Sequence, residues 1–349
     1  MPHALVVGAL GVVGQGLVRH LGEQPGWRVT GLSRRVPEET GGARFISVDL
    51  LDRAQAEARL SSLTDVTHIF YTAYLERPSF AAEVAPNLAM LRNTVEVVER
   101  ASPRLAHVSL MQGTKAYGTH LGPYKTPARE TDPRHMPPNF YYDQEDFLRE
   151  RAPGAGWTWT AMRPRTIYGY AVNSPMNMTS VLGVYAAISK ELGLPLRFPG
   201  TPGGYRALQQ TVDTDLLARA TVWAATEPRC AGEIFNVTNG SHFRWEHLWP
   251  AIASHFGMEC GPVQTLRLAD QMADKGPLWA RMVERHGLRP IPYEQLVAWK
   301  FGDFQWHAEY DSISDTTKLR RFGFHEIVDD EEMILRQMAR LQALRIIPS

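Results

Sequence analysis

A glycine-rich turn begins eight residues into the chain, and it limits what the first half can fold into. Residues 4–7 are a short apolar run, and Gly8-Ala9-Leu10-Gly11-Val12-Val13-Gly14 follows without a break. Such a run reads as a buried strand, while residues 12–21 place apolar side chains at helical spacing. Strand, glycine turn and helix in that order suit a bound pyrophosphate. Without Cβ atoms in the way, backbone amides and the helix N-terminus approach the anion closely. Gly8, Gly11, Val12, Val13 and Gly14 are therefore the first cofactor-binding candidates. The alternative is a tight packing turn that binds nothing.

The alternation continues. Apolar runs at residues 28–32, 45–48, 68–71, 105–109 and 157–162 read as strands, and residues 81–100 and 142–151 as helices. Short strands alternating with amphipathic helices predict α/β architecture, a Rossmann doubly wound parallel sheet. Past residue 163 the pattern loosens, with helices expected at 177–192, 213–226 and 245–256. The expectation is a Rossmann domain over residues 1–169 and a smaller, mostly helical substrate lobe over 170–349. Late Rossmann elements should interleave near 205–240.

Composition excludes several classes of function. Lys+Arg and Asp+Glu are 37 each, so no net charge recommends nucleic acid or an anionic membrane as partner. Cys230 and Cys260 form no CxxC pair, which favours a reducing compartment. With no signal-like N-terminus and no run of about 18 apolar residues, the expectation is a cytoplasmic, soluble protein. His242, His247 and His255 cluster, but no carboxylate completes a ligand set, so no metal is expected. Trp245, Trp249, Trp279, Trp299 and Trp306 read as core of the second lobe.

Which dinucleotide is bound can also be read. After the second strand an NAD site wants a carboxylate for the ribose hydroxyls, but the chain has Ser33-Arg34-Arg35. An arginine fork suits a 2′-phosphate, so NADPH (NADP+) is the expected cofactor. Asp49 and Leu50, ending the third strand, are placed for adenine. Thr72, Ala73 and Tyr74, ending the fourth, should line the cofactor's path.

Short-chain dehydrogenases use a tyrosine with a lysine four residues later on one helix face. No convincing YxxxK follows the fifth strand. In its place stands Asn139-Phe140-Tyr141-Tyr142-Asp143-Gln144-Glu145-Asp146. We read Tyr142 as the catalytic tyrosine and Tyr141 as a packing residue, which puts Asp146 where the base belongs. Lys115, in Met111-Gln112-Gly113-Thr114-Lys115-Ala116-Tyr117-Gly118, is the substitute lysine. Gln112, Arg163 and Ile167 are expected on the nicotinamide side.

Together these residues resemble the progesterone 5β-reductase/iridoid synthase-like family, an atypical branch of the extended short-chain dehydrogenases. The resemblance rests on the glycine turn, Ser33-Arg34-Arg35, the GxKxY loop and, most specifically, NFYYxxED. It continues through Met162-Arg163-Pro164, Ile167, Gly169, Ser174-Pro175-Met176-Asn177 and the tail Leu344-Arg345-Ile346-Ile347-Pro348. It implies NADPH-dependent reduction of a C=C bond conjugated to a carbonyl, with Tyr142 stabilising the enolate and Lys115 lowering the phenol's pKa. It implies a small apolar substrate touching Tyr74, Tyr117, Asn177 and Met178, and a homodimer. Ala116 stands where the family often has histidine, and Tyr74 where it often has tryptophan, which puts substrate choice in doubt. The competing readings are an NADPH-dependent carbonyl reductase and a non-catalytic NADPH-sensing regulator. A sugar-nucleotide epimerase fits less well, since it would favour NAD and a helical YxxxK.

Overall fold

Alternation along one strand builds both faces of the central sheet. In a computed structural model, which describes residues 1–37, 40–174 and 176–349, the first strand β1 (His3–Val7) is wholly buried. Leu5 and Val7 join one apolar cluster, and Ala4 and Val6 join another on the opposite face. That is the period-two pattern of a strand covered on both sides. The turn after β1 leads into α1 (Val12–Glu23), followed by β2 (Arg28–Ser33) and β3 (Arg44–Ser47). Next come α2 (Arg53–Leu60), β4 (His68–Tyr71), α3 (Phe80–Ala101) and β5 (His107–Met111). Then α4 (Phe140–Arg151) and β6 (Thr158–Pro164) follow. With the strand Glu233–Val237 they form a seven-stranded sheet in the order Glu233–Val237, β6, β5, β4, β1, β2, β3. Every neighbouring pair is parallel.

The sequence reading missed α2. Only Ala56 and Leu60 of its eight residues are buried, too weak an apolar stripe to register, and Asp52 caps it through the Gln55 amide.

The chain separates into two compact units. The first is Met1–Arg165 with Thr214–Val237 and Asp315–His325; the second is Thr166–Asp213, Thr238–Ser314 and Glu326–Ser349. The first stretch therefore ends at Arg165 rather than at residue 169. The segments that return to it reach beyond 205–240, because residues 315–325 also pack there. Within the first unit, α1 and the helix Thr214–Thr226 approach so closely that a Cβ on Gly16 would lie 2.3 Å from Thr214 Cγ2. The second unit is built on aromatic packing. Trp245, Trp249, Trp279, Trp299 and Trp306 are all buried there, and Phe198 packs against three of them. Among the described residues no helix is long and apolar enough to cross a membrane.

Three histidines line the N-terminal edge of the sheet. His3 bonds Thr30 and Asp65, His107 bonds Thr158 and Thr160, and His68 pairs in register with His107. Burial lowers the pKa of all three, to about 4 for His3 and His68 and about 3 for His107. Unfolded, each takes up a proton near pH 6.5, so between pH 6.5 and about 4 the unfolded chain binds more protons. Stability present above pH 6.5 is therefore lost as the pH falls toward 4, on the order of 1–3 kcal/mol per histidine. Urea midpoints measured from pH 7.5 to 4.5 should decline steadily. A flat profile would mean these imidazoles titrate normally.

Candidate active site

Two glycines shape the turn after β1. Gly8 has φ +81°, and a Cβ on it would sit 2.8 Å from the Ala73 backbone nitrogen. A Cβ on Gly14 would sit 2.2 Å from the Gly8 carbonyl oxygen. Gly11 caps α1 without a side-chain hydrogen bond, so the amides of the first turn are not satisfied by a capping side chain. This is a cradle with positive partial charge, sized for a group rather than for side chains. Val12 is buried and Val13 half-buried beneath it. Thr72 donates its hydroxyl to the Val7 carbonyl at 2.7 Å, tying the end of β4 to that of β1. Thr72 and Ala73 thus set the cradle's shape.

The adenine end is more open. Ser33 donates to the Arg35 carbonyl, and the Arg34 and Arg35 side chains are exposed. Asp49 is exposed, and its carboxylate accepts from the Leu51 amide at 3.0 Å; Leu50 is buried.

The two adjacent tyrosines have different surroundings. Asn139 caps α4 by accepting from the Tyr141 amide, and its own amide donates to the Lys115 carbonyl at 2.9 Å. That fixes the first turn of α4 against the Thr114–Tyr117 turn. The Tyr142 hydroxyl donates to the Ala116 carbonyl at 2.9 Å and accepts from the His135 amide at 2.9 Å. The Arg134 guanidinium covers its ring at 5.0 Å. Tyr142, the tyrosine expected to be catalytic, here spends its proton on the backbone and anchors a loop. The Tyr141 hydroxyl has no hydrogen-bond partner among the described residues. It lies 3.2 Å from where a Cβ on Gly113 would begin, at the carboxyl end of β5. Burial pushes the Tyr141 phenol up and the nearby Glu83 adds to this, so it stays protonated, as a donor must.

Four residues beyond Tyr141 stands Glu145, the position a helical lysine would take. Its carboxylate bonds Arg163 at 2.9 Å, with both side chains about 95% buried. Burial alone would raise its pKa, but Arg163, Arg134 and Arg149 outweigh it and hold the Glu145 carboxyl below the usual range. Gln112 joins this network. It accepts from Arg163 Nε at 2.8 Å and donates to the Tyr141 carbonyl at 2.9 Å. Arg163 also donates to the Tyr117 hydroxyl at 3.2 Å, which donates in turn to Asn236 at 2.7 Å.

The Gln112 and Arg163 side chains, expected on the nicotinamide side, are committed to this buried network. Tyr117 is 2% exposed, with its hydroxyl engaged by Arg163 and Asn236. In the second unit, Asn177 caps the helix Met178–Glu191 through the Thr179 and Ser180 amides and donates to the Ala171 carbonyl. Met178 is fully buried in that unit's core. Ile167 lies half-buried on the strand Thr166–Tyr168. Pro175, next to the expected contact segment, lies outside the described residues.

Lys115 stands apart from these networks. Its ammonium lies 5.7 Å over the Tyr74 ring and 5.3 Å over the Phe80 ring. Tyr74 stacks on Phe140 at 5.5 Å and donates to Glu83 at 2.6 Å. Burial lowers the Lys115 pKa, against the opposing pull of Glu83 and Glu76. The sequence reading missed Glu83 and Tyr141. A YxxxE spacing from Tyr141 to Glu145 was the available signal, since it repeats the familiar motif with the charge reversed. Among the described residues no cluster of His, Cys, Asp or Glu is placed to hold a metal.

A model of the PRISE-like Rossmann-fold domain matches residues 44–348. The chain belongs to the PRISE-like family. Its relatives include the (S)-8-oxocitronellyl enol synthase ISY2 of Nepeta cataria, 37% identical over 99% of this chain and 92% of that protein. The 3-oxo-Delta(4,5)-steroid 5-beta-reductase of Arabidopsis thaliana is 34% identical, over 99% of this chain and 93% of that one. The UDP-glucose 4-epimerase of Thermotoga maritima superposes with a TM-score of 0.71 at 18% identity, covering 98% of this chain and 99% of the other. That of Thermus thermophilus, solved as a complex with NAD, gives 0.67 at 19% identity over 97% and 99%. The epimerases share the PRISE-like chain's fold.

Proposed function

We propose that the chain is a nicotinamide-dependent oxidoreductase that reduces the C=C bond of small apolar enones and enals, with Tyr141 as the group that meets the carbonyl oxygen. The observation that carries this is the pairing of a glycine cradle with a buried phenol whose hydroxyl has no hydrogen-bond partner among the described residues. The relatives' names, an enol synthase and a 3-oxo-steroid 5-beta-reductase, support the same chemistry. The cradle of Gly8, Gly11 and Gly14 fits a pyrophosphate, because a Cβ at Gly8 or Gly14 would fill it. Arg34 and Arg35, both exposed beside Ser33, favour the 2′-phosphate of NADPH.

The glycine turn would hold a nicotinamide cofactor, whose chemistry would be hydride delivery to the β-carbon. As charge moves to the carbonyl oxygen, the Tyr141 hydroxyl donates a hydrogen bond where the charge develops. Lys115 would add a positive charge nearby, its ammonium over the Tyr74 ring that stacks on Phe140 beside Tyr141. Gln112, held by Arg163, fixes the Tyr141 backbone, so the phenol does not have to reorganise. The α-carbon then takes a proton from solvent. The two thiols are free, which accords with a reducing, cytoplasmic setting.

The test is NADPH and NADH oxidation with cyclic enones, enals and plain ketones, with products identified by mass and NMR. Saturated ketone or aldehyde is expected, with NADPH preferred. Arg34→Ala with Arg35→Ala should raise the KM for NADPH about 10- to 100-fold and leave that for NADH within about 3-fold. An allylic alcohol as product would make the protein a carbonyl reductase, and cofactor binding without turnover would make it a sensor.

A further inference from the structure

We propose that Glu83 is a positioning residue of this site: its buried carboxylate grips the Tyr74 hydroxyl and, across the Tyr74 ring, acts as the counter-charge that holds Lys115 in place as a cation. This rests on the reading above only in giving Lys115 a place beside the substrate.

Glu83 stands in the first turn of α3, where a helix N-terminus favours negative charge. Yet it is 3% exposed, and a carboxylate so buried requires a donor and an opposite charge nearby. The one hydrogen bond to its carboxylate among the described residues comes from Tyr74, at 2.6 Å. No guanidinium or ammonium forms a salt bridge with it among the described residues. The cation that answers it lies over the ring of the same phenol, where the Lys115 ammonium sits 5.7 Å from the ring centre. A phenol donating to a carboxylate gains electron density in its ring, which strengthens attraction for a cation over its face. The second wall, Phe80, brings only its ring face.

The arrangement also reaches Tyr141. Tyr74 stacks on Phe140 at 5.5 Å with 21° between planes, and Phe140 meets Tyr141 edge-on at 4.6 Å. A Tyr74 ring freed from Glu83 would loosen both Lys115 and the packing under the Tyr141 phenol. The groups facing Lys115 are few. Glu83 and the exposed Glu76 supply negative charge, while burial and Lys115 lower His120 to about 4, so it is neutral near pH 7. His120 packs edge-on against Phe80 at 4.6 Å and adds no charge. Burial is the stronger influence and lowers the Lys115 pKa, while the two carboxylates work against it. Glu83 is the buried one, so solvent screens it less.

The experiment is pH-dependent acetylation of the full chain with acetic anhydride, with Lys115 followed by mass spectrometry. Glu83→Gln should move the Lys115 labelling midpoint down by about one pH unit. Tyr74→Phe should move it the same way by removing the bridging hydroxyl, and Glu83→Asp should recover part of the change. In turnover assays the alkaline limb of kcat/KM should fall by the same interval in Glu83→Gln. An unchanged Lys115 midpoint in folded Glu83→Gln would overturn the proposal. If Glu83→Gln does not fold, an unchanged midpoint in Tyr74→Phe would do so. Absence of enone reduction by the wild type would sink the functional reading instead, and the labelling would still decide this one.

Discussion

Replacing Tyr141 by Phe should lower kcat on an enone by about 100- to 1,000-fold, the loss expected when one donor to a developing oxyanion is removed. The KM for the nicotinamide cofactor should change little, because the glycine cradle lies on other elements. Tyr142→Phe should behave in the opposite way. Its hydroxyl joins the Ala116 carbonyl to the His135 amide, so its loss leaves two backbone groups unpaired. That costs about 1–3 kcal/mol of stability, read as a lower urea midpoint, with kcat within a few-fold of wild type. Steady-state kinetics and urea melts on the two variants separate the cases. Near-normal turnover in Tyr141→Phe, together with a large loss in Tyr142→Phe, would return the catalytic role to Tyr142.

Rebuilding the familiar helical lysine should destroy the protein rather than improve it. Glu145→Lys would set an ammonium against Arg163 in a site about 95% buried, with Arg134 and Arg149 also close. Breaking a buried pair by removing one partner costs about 3–5 kcal/mol, and a like charge there adds to the cost. Domains hold only about 5–15 kcal/mol in total. We expect Glu145→Lys to be insoluble or to melt at least about 6 °C lower. Glu145→Gln keeps one acceptor and should fall between. A Glu145→Lys protein with wild-type melting and higher activity would mean that Arg163 moves aside freely. The buried Glu145–Arg163 pair leaves no room for a lysine on α4, and the Lys115 that we propose for the site stands on the Thr114–Tyr117 turn instead.

The strand–glycine–helix opening, the alternation through β6 and the Ser-Arg-Arg element are local signals, and each was legible along the chain. Strand periodicity and turn chemistry act between near neighbours, so residues 1–165 could be read in order. The family was equally legible, because NFYYxxED is a contiguous string. What the sequence could not settle was direction. Tyr141 and Tyr142 are adjacent and chemically identical, and only the contacts of Ala116 and His135 with one of them show which phenol is committed to the backbone. The same holds for Asn177 and Met178: their place in a family motif does not show that one caps a helix and the other packs into a core. Glu83 was invisible for the same reason. A carboxylate in a first helical turn is ordinarily solvated, and burial beneath Tyr74 is a property of packing between distant segments. One chain by itself therefore determined the sheet, the glycine turn after β1 and the family. Which hydroxyl is unpaired, which charges are buried together and which side chains merely hold the frame were decided by tertiary contacts, because hydrogen-bond satisfaction and desolvation depend on neighbours that sequence spacing does not reveal.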